Sequence, residues 1–188
     1  MSQPLTIRPE DAGDADDIRV VHQRAFGRPT EAALVDALRG VTGAISWVAA
    51  IDDRVIGHIL FTPVLIHDGD RNTPAIGLAP MAVLPEYQRQ GMGSDLVRAG
   101  LDACRAQGHQ IVVVLGHPAF YSRFGFVPAS PNGISYQHPV PMEAFMLREL
   151  IGGALGGVRG IVHYRPEFAN VSAKPSPANL RPQSAAQK

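Results

Sequence analysis

One cysteine, two lysines and no net charge leave this 188-residue chain without several of the groups that most often declare a function. With Cys104 alone, an internal disulfide and any metal site built from several thiolates are excluded, and a reducing compartment suits the chain. Basic and acidic residues balance at 17 each, so the clustered positive charge that nucleic-acid binding leans on is missing, and no nucleic-acid partner is expected. No apolar run approaches the ~20 residues needed to cross a bilayer. Met1-Ser2-Gln3-Pro4 leads into no signal-peptide core, so the expectation is a cytoplasmic protein with no membrane partner. Lysine is confined to Lys174 and Lys188 against 15 arginines, which a GC-rich genome explains. No spacing of His, Cys, Asp or Glu argues for a metal.

The length fits one domain able to bury its apolar surface without staples. The spacing predicts that domain over residues 1–169. Residues 170–188, dominated by Ser, Pro, Ala, Asn and Gln, read as a flexible tail.

Leu5-Thr6-Ile7-Arg8 alternates as a short strand. Ile18, Val21, His22 and Ala25 put one apolar face on a helix over residues 14–26, and Thr30 caps a second helix carrying Ala33, Leu34, Ala37 and Leu38 before Gly40. Ile45–Ile51 and Val55–Phe61 flank Asp52-Asp53-Arg54 as an antiparallel hairpin, with Pro63–Ile66 extending it and an exposed turn over His67–Asn72. A strand over Ala75–Leu84 delivers the chain into Gln88-Arg89-Gln90-Gly91-Met92-Gly93, and a helix follows over residues 93–107. Ile111–Leu115 is a continuous apolar strand of the doubly buried kind, parallel to the strand before the helix through a right-handed crossover. Further strands are expected at Pro141–Leu147 and Ile161–Tyr164.

The glycine-bearing turn is the most informative stretch. Gly91 and Gly93 let the backbone approach a ligand, the first amides of the following helix point outward, and the helix dipole favours an anion there. An ordinary strand–helix connection has the same look, so context decides. Gln88-x-x-Gly91-x-Gly93 resembles the (Gln/Arg)-x-x-Gly-x-(Gly/Ala) pyrophosphate loop of the GNAT superfamily of N-acetyltransferases. Downstream, Tyr121-Ser122-Arg123-Phe124-Gly125-Phe126 resembles the Tyr-x-x-x-Gly-Phe ending of that family's acetyl-CoA region, and Leu115 to Phe126 is similar to its YhbS-like branch. The likeness is sharp over residues 76–128.

The resemblance implies an α/β fold: a central mixed, mainly antiparallel sheet flanked by helices, as in acyl-CoA N-acyltransferases. It implies acetyl-CoA as acetyl donor and a primary amine, small molecule or peptide, as acceptor, attacked directly in a ternary complex. Cofactor contacts carry over to Met81, Ala82, Val83, Gln88, Arg89, Gln90, Gly91, Met92, Gly93 and Ser94. Within that set the main chains of Met81 and Val83 pair with the pantetheine arm, and the Val83 N–H faces the thioester oxygen. Tyr121 takes the place of the general acid, though an aromatic in Phe-Tyr-x-x-Phe-Gly-Phe also suits a core. The strand before the loop holds no acid, which leaves His117, Glu86 and Glu143 as candidates for the base. An asparagine common seven residues before the tyrosine is here Val114. Apolar C-terminal strands in the family often support homodimers. Two other readings stay open: an acyl-CoA-binding sensor of the same fold without turnover, and a nucleotide-binding α/β protein. The second fits poorly, since a dinucleotide fingerprint needs three glycines.

Overall fold

The computed structural model describes residues 4–171; the expected tail lies outside the described residues beyond Val171. In chain order the elements are β1 (Leu5–Pro9), α1 (Ala15–Phe26), α2 (Thr30–Leu38), β2 (Ile45–Ile51), β3 (Arg54–Asp68) and β4 (Arg71–Val83). They continue with α3 (Met92–Ala106), β5 (Ile111–Leu115), α4 (Pro118–Tyr121), β6 (Val127–Pro128), β7 (Ile134–Tyr136), β8 (Phe145–Glu149) and β9 (Gly160–His163). The sheet runs β1-β2-β3-β4-β5-β8-β6, with β9 branching from the far half of β3 and β7 alongside it. Among the described residues only β4–β5 and β7–β9 are parallel.

Asp52 and Asp53, both at positive φ (48° and 62°), make the two-residue turn whose twist suits a hairpin between β2 and β3. The expected turn over His67–Asn72 shrinks to Gly69-Asp70, because β3 runs on to Asp68 and β4 begins at Arg71. The strand expected at Pro141 starts instead at Phe145. Pro141 has no amide to give a ladder, and the Ala144 N–H closes a turn on its carbonyl at 3.0 Å. Thr30 opens α2 as its first helical residue, with Pro29 at the cap position.

Strand alternation divides the molecule into two layers. A methyl on Gly57 would sit 3.1 Å from Leu96 of α3, so Gly57 faces α3. The next residue, His58, meets His22 of α1 at 2.8 Å, on the other side. Leu96, Val97, Gly100, Leu101 and Cys104 bury one side of α3, as their helical spacing predicts. Ile111, Val112, Val113 and Val114 of β5 are at most 1 % exposed, which confirms a strand covered on both faces.

Gly100 of α3 packs against Phe61 of β3, and a Cβ there would overlap the Phe61 ring. The Gly100→Ala variant is expected to lose about 1–3 kcal/mol of stability by overpacking. Thermal melting checks this; an unchanged midpoint would show that Phe61 moves aside without cost.

Candidate active site

Register creates the site. β4 pairs with β5 only through Ile76↔Val112, Gly77↔Val113 and Leu78↔Val114. Immediately beyond, the β3–β4 register slips by one residue, so that Leu60 faces both Ala79 and Pro80 in a bulge. From there to Val83, β4 has no strand on its β5 side.

Antiparallel alternation shows which backbone groups are left over. The Leu84 N–H donates to the Ile56 carbonyl at 2.9 Å, which makes Leu84–Ile56 a hydrogen-bonded pair. The register then turns the amides and carbonyls of Val83 and Met81 away from β3, while Ala82 bonds with His58. Val83 and Met81 therefore present free amides along the open edge, whereas the Ala82 amide is taken by β3. The Val83 carbonyl accepts from Gln88 Nε2 at 2.9 Å, tying the glycine loop to the end of β4.

Gln90 Nε2 donates to the Glu86 carbonyl at 2.9 Å, so both glutamines brace the loop. Arg89 (φ 62°) and Gly91 (φ 99°) adopt left-handed conformations that swing the chain into α3. The Gly91 carbonyl takes the Ser94 and Asp95 amides at 2.8 and 3.1 Å, which leaves the Met92 and Gly93 amides at the positive end of the helix dipole. A Cβ at Gly91 would meet nothing within 4 Å, so the loop borders open space. One at Gly93 would lie 3.7–3.9 Å from Phe120, Met81 and Val83, the residues where loop, strand and α4 converge. Free amides along β4, open space at Gly91 and a helix N-terminus together fit an extended ligand ending in phosphates.

Arg123 borders the same place. Its guanidinium stacks over Phe120 at 4.8 Å and reaches within 3.5 Å of Ser94 Oγ, a cation beside the N-terminus of α3 that the linear sequence did not single out.

Tyr121 is buried, its ring packed edge-on against Phe120 and Phe126 and seated on Gly116, where any Cβ would overlap it. Burial pushes its phenol well above the ordinary range, so it holds its proton at neutral pH. His117 caps α4, its carbonyl accepting the Tyr121 amide at 3.1 Å, and its Nε2 is buried without a partner. Of the other candidate bases, Glu86 is paired with Arg24 at 2.9 Å, and Glu143 lies exposed on the loop before β8.

The sequence of residues 6–129 matches that of the acetyltransferase (GNAT) domain. The chain belongs to the GNAT family of acetyltransferases. This GNAT chain is 42% identical over 144 residues to the uncharacterised N-acetyltransferase YjhQ of Escherichia coli K12, covering 74% of this chain and 79% of YjhQ. It is 38% identical over 166 residues to YhbS of the same strain, 87% of this chain and 98% of YhbS. Its fold superposes on crystallised YhbS in complex with CoA with a TM-score of 0.82 at 37% identity, covering 89% and 93% of the two chains. It also matches a GNAT acetyltransferase of Brucella melitensis in complex with acetyl-CoA, with a TM-score of 0.70 at 33% identity over 89% and 99%.

His58 has no partner visible in the linear sequence, and the fold supplies one on each side. Burial pushes the Glu10 carboxyl up, but the polar hydrogens of His58, Ser46 and Arg39 outweigh that and hold it down at about 2. The ionised Glu10 only accepts, so the Ser46 hydroxyl must donate to it. Ser46 Oγ in turn accepts from His58 Nε2–H at 2.8 Å; burial lowers the His58 pKa and keeps the ring neutral, so its Nδ1 accepts from His22 Nε2–H at 2.8 Å. Both rings are thus neutral with a proton on Nε2, and His22 Nδ1 is buried without a partner. Glu10, Ser46 and Arg39 line an open cavity of about 720 Å³ beside Trp47 and the C-terminal end of α3.

Burial lowers the pKa of both histidines. A depressed native value means that the unfolded chain binds the extra proton first, so their stabilisation holds above pH ~6.5 and is lost as pH falls. Glu10 adds a loss at lower pH, between its ordinary range and about 2. Unfolding free energy, and with it the melting temperature, should therefore drop between pH 7.5 and 5.5, the free energy by up to ~1.4 kcal/mol per pH unit for each histidine. The His22→Phe variant should flatten that slope; a wild-type midpoint level across this range would refute the neutral pair.

Proposed function

We propose that this chain transfers the acetyl group of acetyl-CoA to a primary amine, of a small molecule or a peptide, by direct attack in a ternary complex. The observation that carries the reading is the open edge of β4 ending beside the free amides of α3, with the Phe120 ring, which packs on Tyr121, against Gly93. Acetyl-CoA supplies an activated thioester; the rest is the work of this chain.

The Met92 and Gly93 amides bind the pyrophosphate, with Ser94 and Arg123 beside them. Arg89, Gln88 and Gln90 shape the loop. The amides of Met81 and Val83 hold the pantetheine arm, and Ala82 keeps that edge in register. The Val83 N–H is the fixed donor for negative charge gathering on the thioester oxygen, a contribution of about 2.7–4 kcal/mol for one well-aimed donor. Tyr121, kept protonated by burial, delivers its proton to the departing sulfur as the new C–N bond replaces the C–S bond. The unpartnered Nε2 of His117 takes the proton that the amine gives up. Cys104 takes no part: it is fully buried on α3, and burial pushes its thiol up to about 12. A reducing cytoplasm suits that lone thiol, and among the described residues no helix is long and apolar enough to cross a membrane.

Calorimetry with acetyl-CoA, coenzyme A and dephospho-coenzyme A, with ATP and NAD as controls, tests the cofactor. Acetyl-CoA should bind, and Gly91→Glu should weaken it by setting a carboxylate beside the pyrophosphate and a Cβ at φ 99°. Tyr121→Phe should keep that affinity and lose about 10²–10⁴-fold in kcat. Binding without turnover in the wild type would mark a sensor, and ATP or NAD in place of acetyl-CoA would overturn the assignment.

A further inference from the structure

Two buried hydroxyls on the face of the sheet away from α3 have no partner. Thr62 is fully buried and Tyr164 is 8% exposed, yet neither Thr62 Oγ1 nor Tyr164 Oη has a hydrogen-bond partner. They are neighbours. Thr62 lies directly across from Gly77 in the β3–β4 ladder, and the Tyr164 ring rests on Gly77. A Cβ there would come within 2.7 Å of Tyr164 Cε1 and 2.9 Å of its Cζ and Oη. Glycine at position 77 is thus what lets the phenol reach the β4 backbone, and packing against Tyr136 and Phe168, with ring centroids 5.6 and 4.9 Å away, holds it there.

The place is also particular. Phe61 faces Gly100 of α3, so alternation sends Thr62 and Gly77 to the opposite face, the one His58 shares with α1. Gly77 precedes by one residue the last β4–β5 pair, after which the strands part. Both hydroxyls therefore sit where the open edge begins, on the side away from the helix whose N-terminus would hold the phosphates. Tyr121 and Tyr136 are close enough to raise the Tyr164 phenol further, although burial is the main cause. An unsatisfied buried hydroxyl forfeits its hydration without a replacement bond, so two side by side are a standing cost that a ligand relieves.

We infer that Thr62 and Tyr164 bind the acceptor, recognising a neutral hydrogen-bonding group next to its amine, such as the amide of an amino-acid amide or a peptide N-terminus. The inference rests on the acetyl-transfer reading. A hydroxyl pair both donates and accepts, which matches an amide; a polyamine calls for free carboxylates. Glu31 of α2 and Glu86 of the loop after β4 are already paired, with Arg28 and Arg24, and Glu167 after β9 pairs with Arg165 through Oε1 while its Oε2 is buried without a partner.

Alaninamide and spermidine, each with acetyl-CoA, are the probes, and release of free thiol is the readout. Wild type should acetylate alaninamide with a kcat/KM at least tenfold above that for spermidine. Tyr164→Phe should raise the alaninamide KM at least tenfold with kcat within threefold, and Thr62→Val should shift it the same way. Both variants should melt at or above the wild-type temperature, since each removes an unpaired buried hydroxyl. A lower midpoint, an unmoved KM, or preference for spermidine overturns the inference. So does the absence of alaninamide turnover in protein that binds acetyl-CoA. Failure to bind acetyl-CoA would instead sink the acetyl-transfer reading beneath it.

Discussion

The parting of β4 from β5 is the constraint from which the rest of the site follows. Three residue pairs hold the two strands together, and then the bulge at Ala79-Pro80 turns β4 while β5 ends at Leu115. A strand in the middle of a sheet normally has all its amides occupied. Here five residues of β4 keep one partner and lose the other, and the loss falls on residues whose amides alternation points outward. A ligand that offers carbonyls and amides in extended form completes the ladder. The glycine loop has meaning only in that setting, because Gln88 ties it to the carbonyl of the last strand residue and so aims the N-terminus of α3 along the same line.

The second organising fact is that successive strand residues serve different layers. Gly57, Phe61, Met81 and Val83 look toward α3 and the loop, while His58, Thr62, Gly77 and Ala82 look toward α1 and its neighbours. Packing on the α3 face is apolar and close, with glycines admitting Phe61 and Leu96. On the α1 face the sheet carries polar groups into the interior: a chain of hydrogen bonds from Glu10 to His22, and the hydroxyls of Thr62 and Tyr164. Such groups cost free energy unless something uses them, and the Glu10 chain shows one solution, in which an ionised carboxylate sets the direction of every bond behind it.

Much of this was legible in the linear sequence. The two apolar runs flanking Asp52-Asp53-Arg54, the uninterrupted valines of Ile111–Leu115 and the helical spacing of Leu96, Val97, Leu101 and Cys104 each named an element, and each element formed. The motif residues from Gln88 to Ser94 and the Tyr121 cluster named the family, and the fold sets Gly93 beside Phe120, a contact the linear motifs did not state. Short elements escaped. The two residues of β6 and three of β7 carry no periodicity, and they exist because β8 and β9 offer edges to pair with. The strand expected from Pro141 begins four residues later, because Pro141 to Ala144 first close a turn.

Local composition and spacing determined the kind of elements, their order, and the glycine turn at Gly91 and Gly93, because those depend on torsional preference and on residues close together in the chain. Only the tertiary structure decided which partners distant residues found. His58 met His22 across 36 residues and Ser46 across 12, Tyr164 came to rest on Gly77, and Gly116 made room for Tyr121. Those contacts depend on strand register, and register comes from the whole sheet settling at once: a slip of one residue would send every side chain of a strand to the other face.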